Sequence, residues 1–188
     1  MKTKTNCQFS IVNSQLIDVA YFIVILACAH FFWKFTVLGD EGSTAVLFFC
    51  IDISRPFDFM VAQISQGVYG FLQFFGYDVQ LHGNRIVFSN GQMISVVWGC
   101  AGIKQMYIFL CLIALFKGSW RHKLWYIPAG FVILHFYNIL RIALIAILIE
   151  NNQERFEFLH GFLFKYLFYF LIFMMWVGWN EIFVKKNE

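Results

Sequence analysis

Cys100 stands in Ser95-Val96-Val97-Trp98-Gly99-Cys100-Ala101-Gly102-Ile103-Lys104, a thiol between small residues where a β-rich stretch passes into an apolar helix. Amide groups at a helix start carry partial positive charge, which favours thiolate over thiol and makes a nucleophile near neutral pH. Gly99 and Gly102 leave room for a peptide backbone to approach, so they are read as substrate-contacting positions. Arg141, in His135-Phe136-Tyr137-Asn138-Ile139-Leu140-Arg141, is a cation inside an apolar run. Such a group is costly in lipid and by default marks a site with a partner. Asn138 lies one turn before it on the same helical face, placed to bond the guanidinium or a substrate. His160, in Phe158-Leu159-His160-Gly161, opens the last apolar run, and an imidazole can move a proton near neutrality. Nucleophile, oxyanion stabiliser and proton carrier together suit acyl transfer. Each also has a structural alternative. Cys100 can be a small buried residue or pair with Cys50, Arg141 can snorkel or pair with Glu150, and His160 can be an interfacial histidine. His135, deeper on the same run as Arg141, reads as a polar packing residue.

The elements that must position these groups are membrane helices. Hydrophobic residues make up 60% of the chain and charged residues 13%, about half the usual charged share of a soluble domain, so an integral membrane protein is expected. Its 188 residues accommodate a single domain (1–188) of about four spanning helices. The spans are expected at about 16–38, 102–117, 124–149 and 158–184, with an extracytoplasmic segment at about 39–100. Within that segment, Ser54 or a neighbour caps an amphipathic helix whose apolar stripe is Phe57, Met60, Ile64, Val68, Phe71, Leu72 and Phe75. Ser65, Gln66, Tyr69 and Gln73 form its polar face, and Gly76 ends it. Val79–Leu81, Arg85–Phe88 and Met93–Val97, split by His82-Gly83-Asn84 and Ser89-Asn90-Gly91, predict a small β-meander that feeds its last strand into Cys100. The fold class is therefore an all-α membrane protein with four spans, an outer-face amphipathic helix and a small extracytoplasmic meander.

Charge sets the expected orientation. Lys2, Lys4, Lys117, Arg121, Lys123, Lys185 and Lys186 fall on one side of the spans. Asp40, Glu41, Asp52, Asp58, Asp78, Glu150, Glu154 and Glu157 fall on the other, with only Arg55, Arg85 and Arg155 against them. The positive-inside rule then puts both termini in the cytoplasm and brings Cys100, Arg141 and His160 to the extracytoplasmic leaflet. A net charge of +3 does not suggest nucleic acid as a partner, and five cysteines without CxxC spacing suggest no metal. No cofactor is expected.

The order Gly99-Cys100-Ala101-Gly102-Ile103, then Asn138-x-x-Arg141, then His160 resembles the exosortase/archaeosortase family of multi-spanning transpeptidases, over about Val79 to Phe170. That family carries a cysteine in a Cys-Ser-Gly or similar motif, an arginine in Asn-x-x-Arg and a histidine or arginine on the next helix. Here Ala101 stands where serine is common and Gly99 where alanine is frequent. The resemblance implies a cysteine transpeptidase of the bacterial inner membrane with Cys100, Arg141 and His160 as catalytic residues. Its implied partners are membrane lipids and exported proteins whose C-terminal sorting signal comprises a recognition motif, a membrane helix and a basic tail. The alternative of another class is a non-catalytic assembly factor or an anion-binding carrier that uses Arg141.

Overall fold

The computed structural model describes residues 2–39, 45–149 and 161–185, with side chains from residue 16 onward. The chain is mostly helical, with two small antiparallel sheets. In order, it runs α1 (Lys2–Thr36), β1 (Val37–Leu38), β2 (Leu47–Phe48), β3 (Ile51–Asp52), α2 (Ser54–Phe74), β4 (Val79–His82), β5 (Arg85–Phe88) and β6 (Met93–Ser95). A 3₁₀ turn (Trp98–Cys100) leads into α3 (Ile103–Leu115), α4 (Trp120–Ile149) and α5 (Phe164–Trp179), with π turns continuing α5 to Val184. Among the described residues, three helical stretches are long and apolar enough to cross a membrane: Leu16–Thr36, Trp120–Ile149 and Gly161–Val184. Many of their outward side chains are large and apolar, including Phe35, Phe136 and Phe170, as a lipid-facing surface requires.

The helix bounds differ from expectation for local reasons. Nothing in Met1–Gln15 breaks a helix, so α1 begins at Lys2 rather than near Leu16. α3 has 13 residues, about 20 Å at the α-helical rise, which is shorter than the expected 102–117 span and than a hydrocarbon core of about 30 Å. Left-handed Gly102 (φ 77°) precedes it, and Phe116 leaves it in an extended conformation. α4 starts at Trp120, taking Arg121, His122 and Lys123 from the expected basic loop. The start of the fourth expected span, the acidic stretch 150–157, and Asp40, Glu41 and Lys186 lie outside the described residues.

At the end of the bundle away from Cys100, polar groups lock the helix ends together. Lys123 is buried and donates to Ala114 O at 2.9 Å and Phe116 O at 2.6 Å, satisfying carbonyls that the end of α3 leaves open. Lys117 pairs with Asp18 of α1 at 2.9 Å, and Trp179 Nε1 donates to Lys117 O. Between the ends, Phe22, Ile108, Phe109, Leu112, Leu134, Phe168, Ile172 and Trp176 form the main apolar core. Gly130 lets α4 approach α3: a Cβ there would lie 2.2 Å from the Phe109 ring.

At the Cys100 end, α2 lies along the last turns of α4, with Ile64, Val68 and Leu72 packed with Ile142, Ala143 and Ala146. Gly67 makes the approach possible, since a Cβ would lie 2.5 Å from Ile139 Cδ1. Ile53, not Ser54, occupies the cap position, and no side chain bonds there as a cap. Ser54 Oγ instead donates to Asp52 Oδ1 and accepts from Val46 N, tying the loop to the helix start. That hydrogen bond holds the exposed Asp52 carboxyl below its ordinary pKa. Ser65, expected on the polar face, is fully buried because its hydroxyl is satisfied by Val61 O at 2.7 Å, while Phe75 of the expected apolar stripe is exposed. Gly76 (φ 83°) ends α2: Tyr77 N bonds Leu72 O and Gly76 N bonds Gln73 O, the paired return of a Schellman motif.

The meander forms as expected, with β4 paired to β5 and β5 to β6, both antiparallel. Val79, Ile86, Phe88 and Val96 turn inward onto α2 and α4, and Ile94 reaches Ile145, Ile149 and Phe164. The three two-residue strands β1–β3 were not legible in the sequence; they pair by main-chain bonds alone. Two glycine substitutions separate close packing from backbone entropy. Gly130→Val should lower the thermal midpoint of the detergent-solubilised chain, at a cost of about 1–3 kcal/mol or more. Gly70→Ala, with open space around it, should be neutral or stabilise by about 0.5–1 kcal/mol in the same unfolding assay.

Candidate active site

Cys100 is half-buried at the end of the Trp98–Cys100 turn, two residues before the left-handed Gly102 that opens α3. The turn closes through Cys100 N to Val97 O and Ala101 N to Trp98 O, at 2.9 and 3.0 Å. Cys50 and Cys100 are not bridged to one another. From α4, Asn138 Nδ2 donates to Cys100 O at 2.8 Å, so the amide expected to serve Arg141 or a substrate holds the backbone of Cys100 itself. Asn138 is fully buried, and its Oδ1 has no partner among the described residues. Gly102 faces this amide: a Cβ on it would lie 3.1 Å from Asn138 Nδ2. Its lack of a side chain thus serves the α3–α4 contact as well as the left-handed backbone.

Arg141 sits one turn beyond Asn138, is 5% exposed, and leaves its Nε without a partner among the described residues. Its guanidinium is near enough to the Cys100 thiol and the Tyr137 phenol to interact electrostatically with both. With Gly99, Lys104, Gln105, Gly161, Lys165 and Tyr169 it lines a cavity of about 210 Å³. His160 lies outside the described residues, and Gly161, the next residue in the chain, is part of this lining. A second cavity of about 360 Å³ shares Gly99 and Lys104, and its other walls include Trp33 and Lys34 of α1, Val37 and Leu38 of β1, Phe57 and Trp98. Gly99 and Lys104 therefore stand between two cavities, of which only the second has tryptophan and phenylalanine side chains in its wall. β6, which leads into the Cys100 segment, is an edge strand of its sheet.

Sequence reasoning missed Gln105, Lys104, Lys165 and Tyr169. Gly161, Lys165 and Tyr169 recur every fourth residue in an otherwise apolar helix, and a lysine in that setting is a signal of the same kind as Arg141. His135, half-buried against Phe136, lines neither cavity. Among the described residues no group of His, Cys, Asp or Glu is arranged to hold a metal ion.

The transmembrane exosortase family model matches residues 13–178, and the chain belongs to that family. Neither a search of curated proteins nor one of solved structures returns a match.

Removing the amide that holds the thiol segment should be visible without any substrate. Asn138→Ala is expected to cost about 1–3 kcal/mol of stability, because it strands a buried carbonyl. It should also speed alkylation of Cys100 by N-ethylmaleimide, measured with Cys7, Cys28, Cys50 and Cys111 replaced by serine.

Proposed function

We propose that this chain is a membrane-embedded cysteine transpeptidase that cleaves the C-terminal sorting signal of exported proteins and passes them to an acceptor. Family membership supports the reaction class. The observation that carries the assignment of residues is the shared cavity, which Gly99 beside the thiol, Arg141, and Gly161 beside His160 all line. In this reading the Cys100 thiolate attacks the scissile carbonyl, and Arg141 stabilises the resulting oxyanion from a water-poor wall, where fixed charge acts most strongly. Collapse of the intermediate breaks the C–N bond, His160 delivers a proton to the departing amine, and the upstream part stays on Cys100 as a thioester. An acceptor amine or hydroxyl, or water, then attacks the thioester and gives its proton to His160, the C–S bond breaks, and the thiolate is restored.

The half-buried thiol and the buried guanidinium fit a substrate helix that stands beside the bundle and brings its end to Cys100. Gly99 and the edge strand β6 would receive the extended segment, by close approach and by strand addition respectively. The arrangement also fits four spans, with α3 crossing by means of the Trp98–Gly102 segment. It fits the bacterial inner membrane, with both termini in the cytoplasm and the cavity on the extracytoplasmic side, as the charge asymmetry indicates.

The test is co-expression with an exported protein that ends in a membrane helix and a basic tail. Cys100→Ala and His160→Ala should accumulate in the membrane and abolish processing. Arg141→Lys should slow processing by about 10²–10³-fold, the usual effect of losing an oxyanion donor. A trapped upstream fragment should be released by hydroxylamine, as a thioester is. Continued processing by Cys100→Ala would favour the assembly-factor or carrier reading.

A further inference from the structure

The cavity beside Arg141 gathers cations from three helices. Arg141, Lys104 and Lys165 line it together with Gln105 and Tyr169, and among the described lining residues there is no carboxylate. Two polar atoms of this lining are buried without a partner among the described residues: Arg141 Nε, a donor, and Gln105 Oε1, an acceptor on a side chain 9% exposed. A buried guanidinium in a low-dielectric site calls for a counter-charge, and a buried carboxamide oxygen calls for a donor.

The second observation is what borders this cavity. On α5, Gly161, Lys165 and Tyr169 face it. On the neighbouring face of the same helix, Phe162, Leu163, Tyr166, Leu167 and Phe170 line an apolar groove of about 290 Å³, and all five are exposed. A ligand that satisfies both surfaces carries an anion and a hydrogen-bond donor at one end and a hydrocarbon chain at the other.

We propose that α3, α4 and α5 form a binding site for an anionic phospholipid. Its phosphate lies among Arg141, Lys104 and Lys165, a headgroup hydroxyl donates to Gln105 Oε1, and one acyl chain follows the α5 groove. The headgroup supplies the counter-charge for Arg141 and forms one wall of the space next to Gly99. The site involves no covalent step, and it stands whether or not Cys100 performs acyl transfer.

The test uses the full chain purified in a neutral detergent, with no substrate present. Dioleoylphosphatidylglycerol should raise the unfolding midpoint and remain bound in native mass spectrometry, at concentrations where dioleoylphosphatidylcholine does neither. Lys165 is exposed, so Lys165→Gln should fold normally yet weaken lipid retention about ten-fold, as expected for one charge-assisted contact, and Lys165→Arg should restore it. Gln105→Leu should weaken retention of the hydroxyl-bearing lipid. Equal retention of the two lipids, or retention indifferent to Lys165→Gln, would overturn the proposal. Stabilisation by inorganic phosphate equal to that by the lipid would overturn it too, by showing a site for the free anion.

Discussion

The hydrogen bond from Asn138 Nδ2 to Cys100 O joins the two parts of the chain on which the candidate chemistry depends. One part is an irregular turn, which on its own would hold a thiol poorly. The other is a regular turn within the 30-residue helix α4. Gly102 makes the junction possible in two ways, by adopting a backbone conformation that most residues avoid and by leaving Asn138 room. Because Arg141 follows Asn138 by one turn on the same face, fixing the carbonyl of Cys100 also fixes the direction from which a guanidinium meets the thiol's surroundings. The Asn-x-x-Arg spacing thus puts the residue that holds the Cys100 backbone and a buried guanidinium on one face of α4.

This junction is useful only if α3 and α4 do not slide past each other, and the opposite end of the bundle prevents that. Lys123 binds the last carbonyls of α3, while Lys117 reaches Asp18 of α1 and offers its own carbonyl to Trp179. The bond from Lys123 to Phe116 O is buried, and a buried polar contact is costly to break. Between the two ends, Gly130 against Phe109 and Gly67 against Ile139 bring α4 close to both α3 and α2. The meander and α2 cover the α4 turns that follow Arg141, which holds that end of α4 in place.

Much of this was legible in the sequence because its signals were local. The turns at His82-Gly83-Asn84 and Ser89-Asn90-Gly91, the stop at Gly76 and the long apolar runs each follow from residue type and spacing; β4–β6 and α2 form close to the expected positions, and α4 begins four residues earlier than expected. What was not legible depended on contacts between distant segments. Lys123 reads as a loop cation until the end of α3 is seen to need it, and Ser65 reads as polar surface until its hydroxyl turns back on its own helix. Asn138 was singled out, but its bond to Cys100 crosses 38 residues and no pattern announces it. Lys165 and the pair Lys104-Gln105 went unread because each is a short polar interruption beside or within an apolar run, and only the cavity brings them together.

The central claim is that the Cys100 thiol, the Arg141 guanidinium and the His160 imidazole share one cavity. Disulfide trapping measures this most directly, because a bridge forms only when the two Cβ atoms can approach to about 3.5–4.5 Å. With Cys7, Cys28, Cys50 and Cys111 replaced by serine and the protein in native membranes, mild oxidation of the His160→Cys variant should link position 160 to Cys100. The His135→Cys variant should give no such link. Failure of position 160 to cross-link, or equal cross-linking from position 135, would contradict the account.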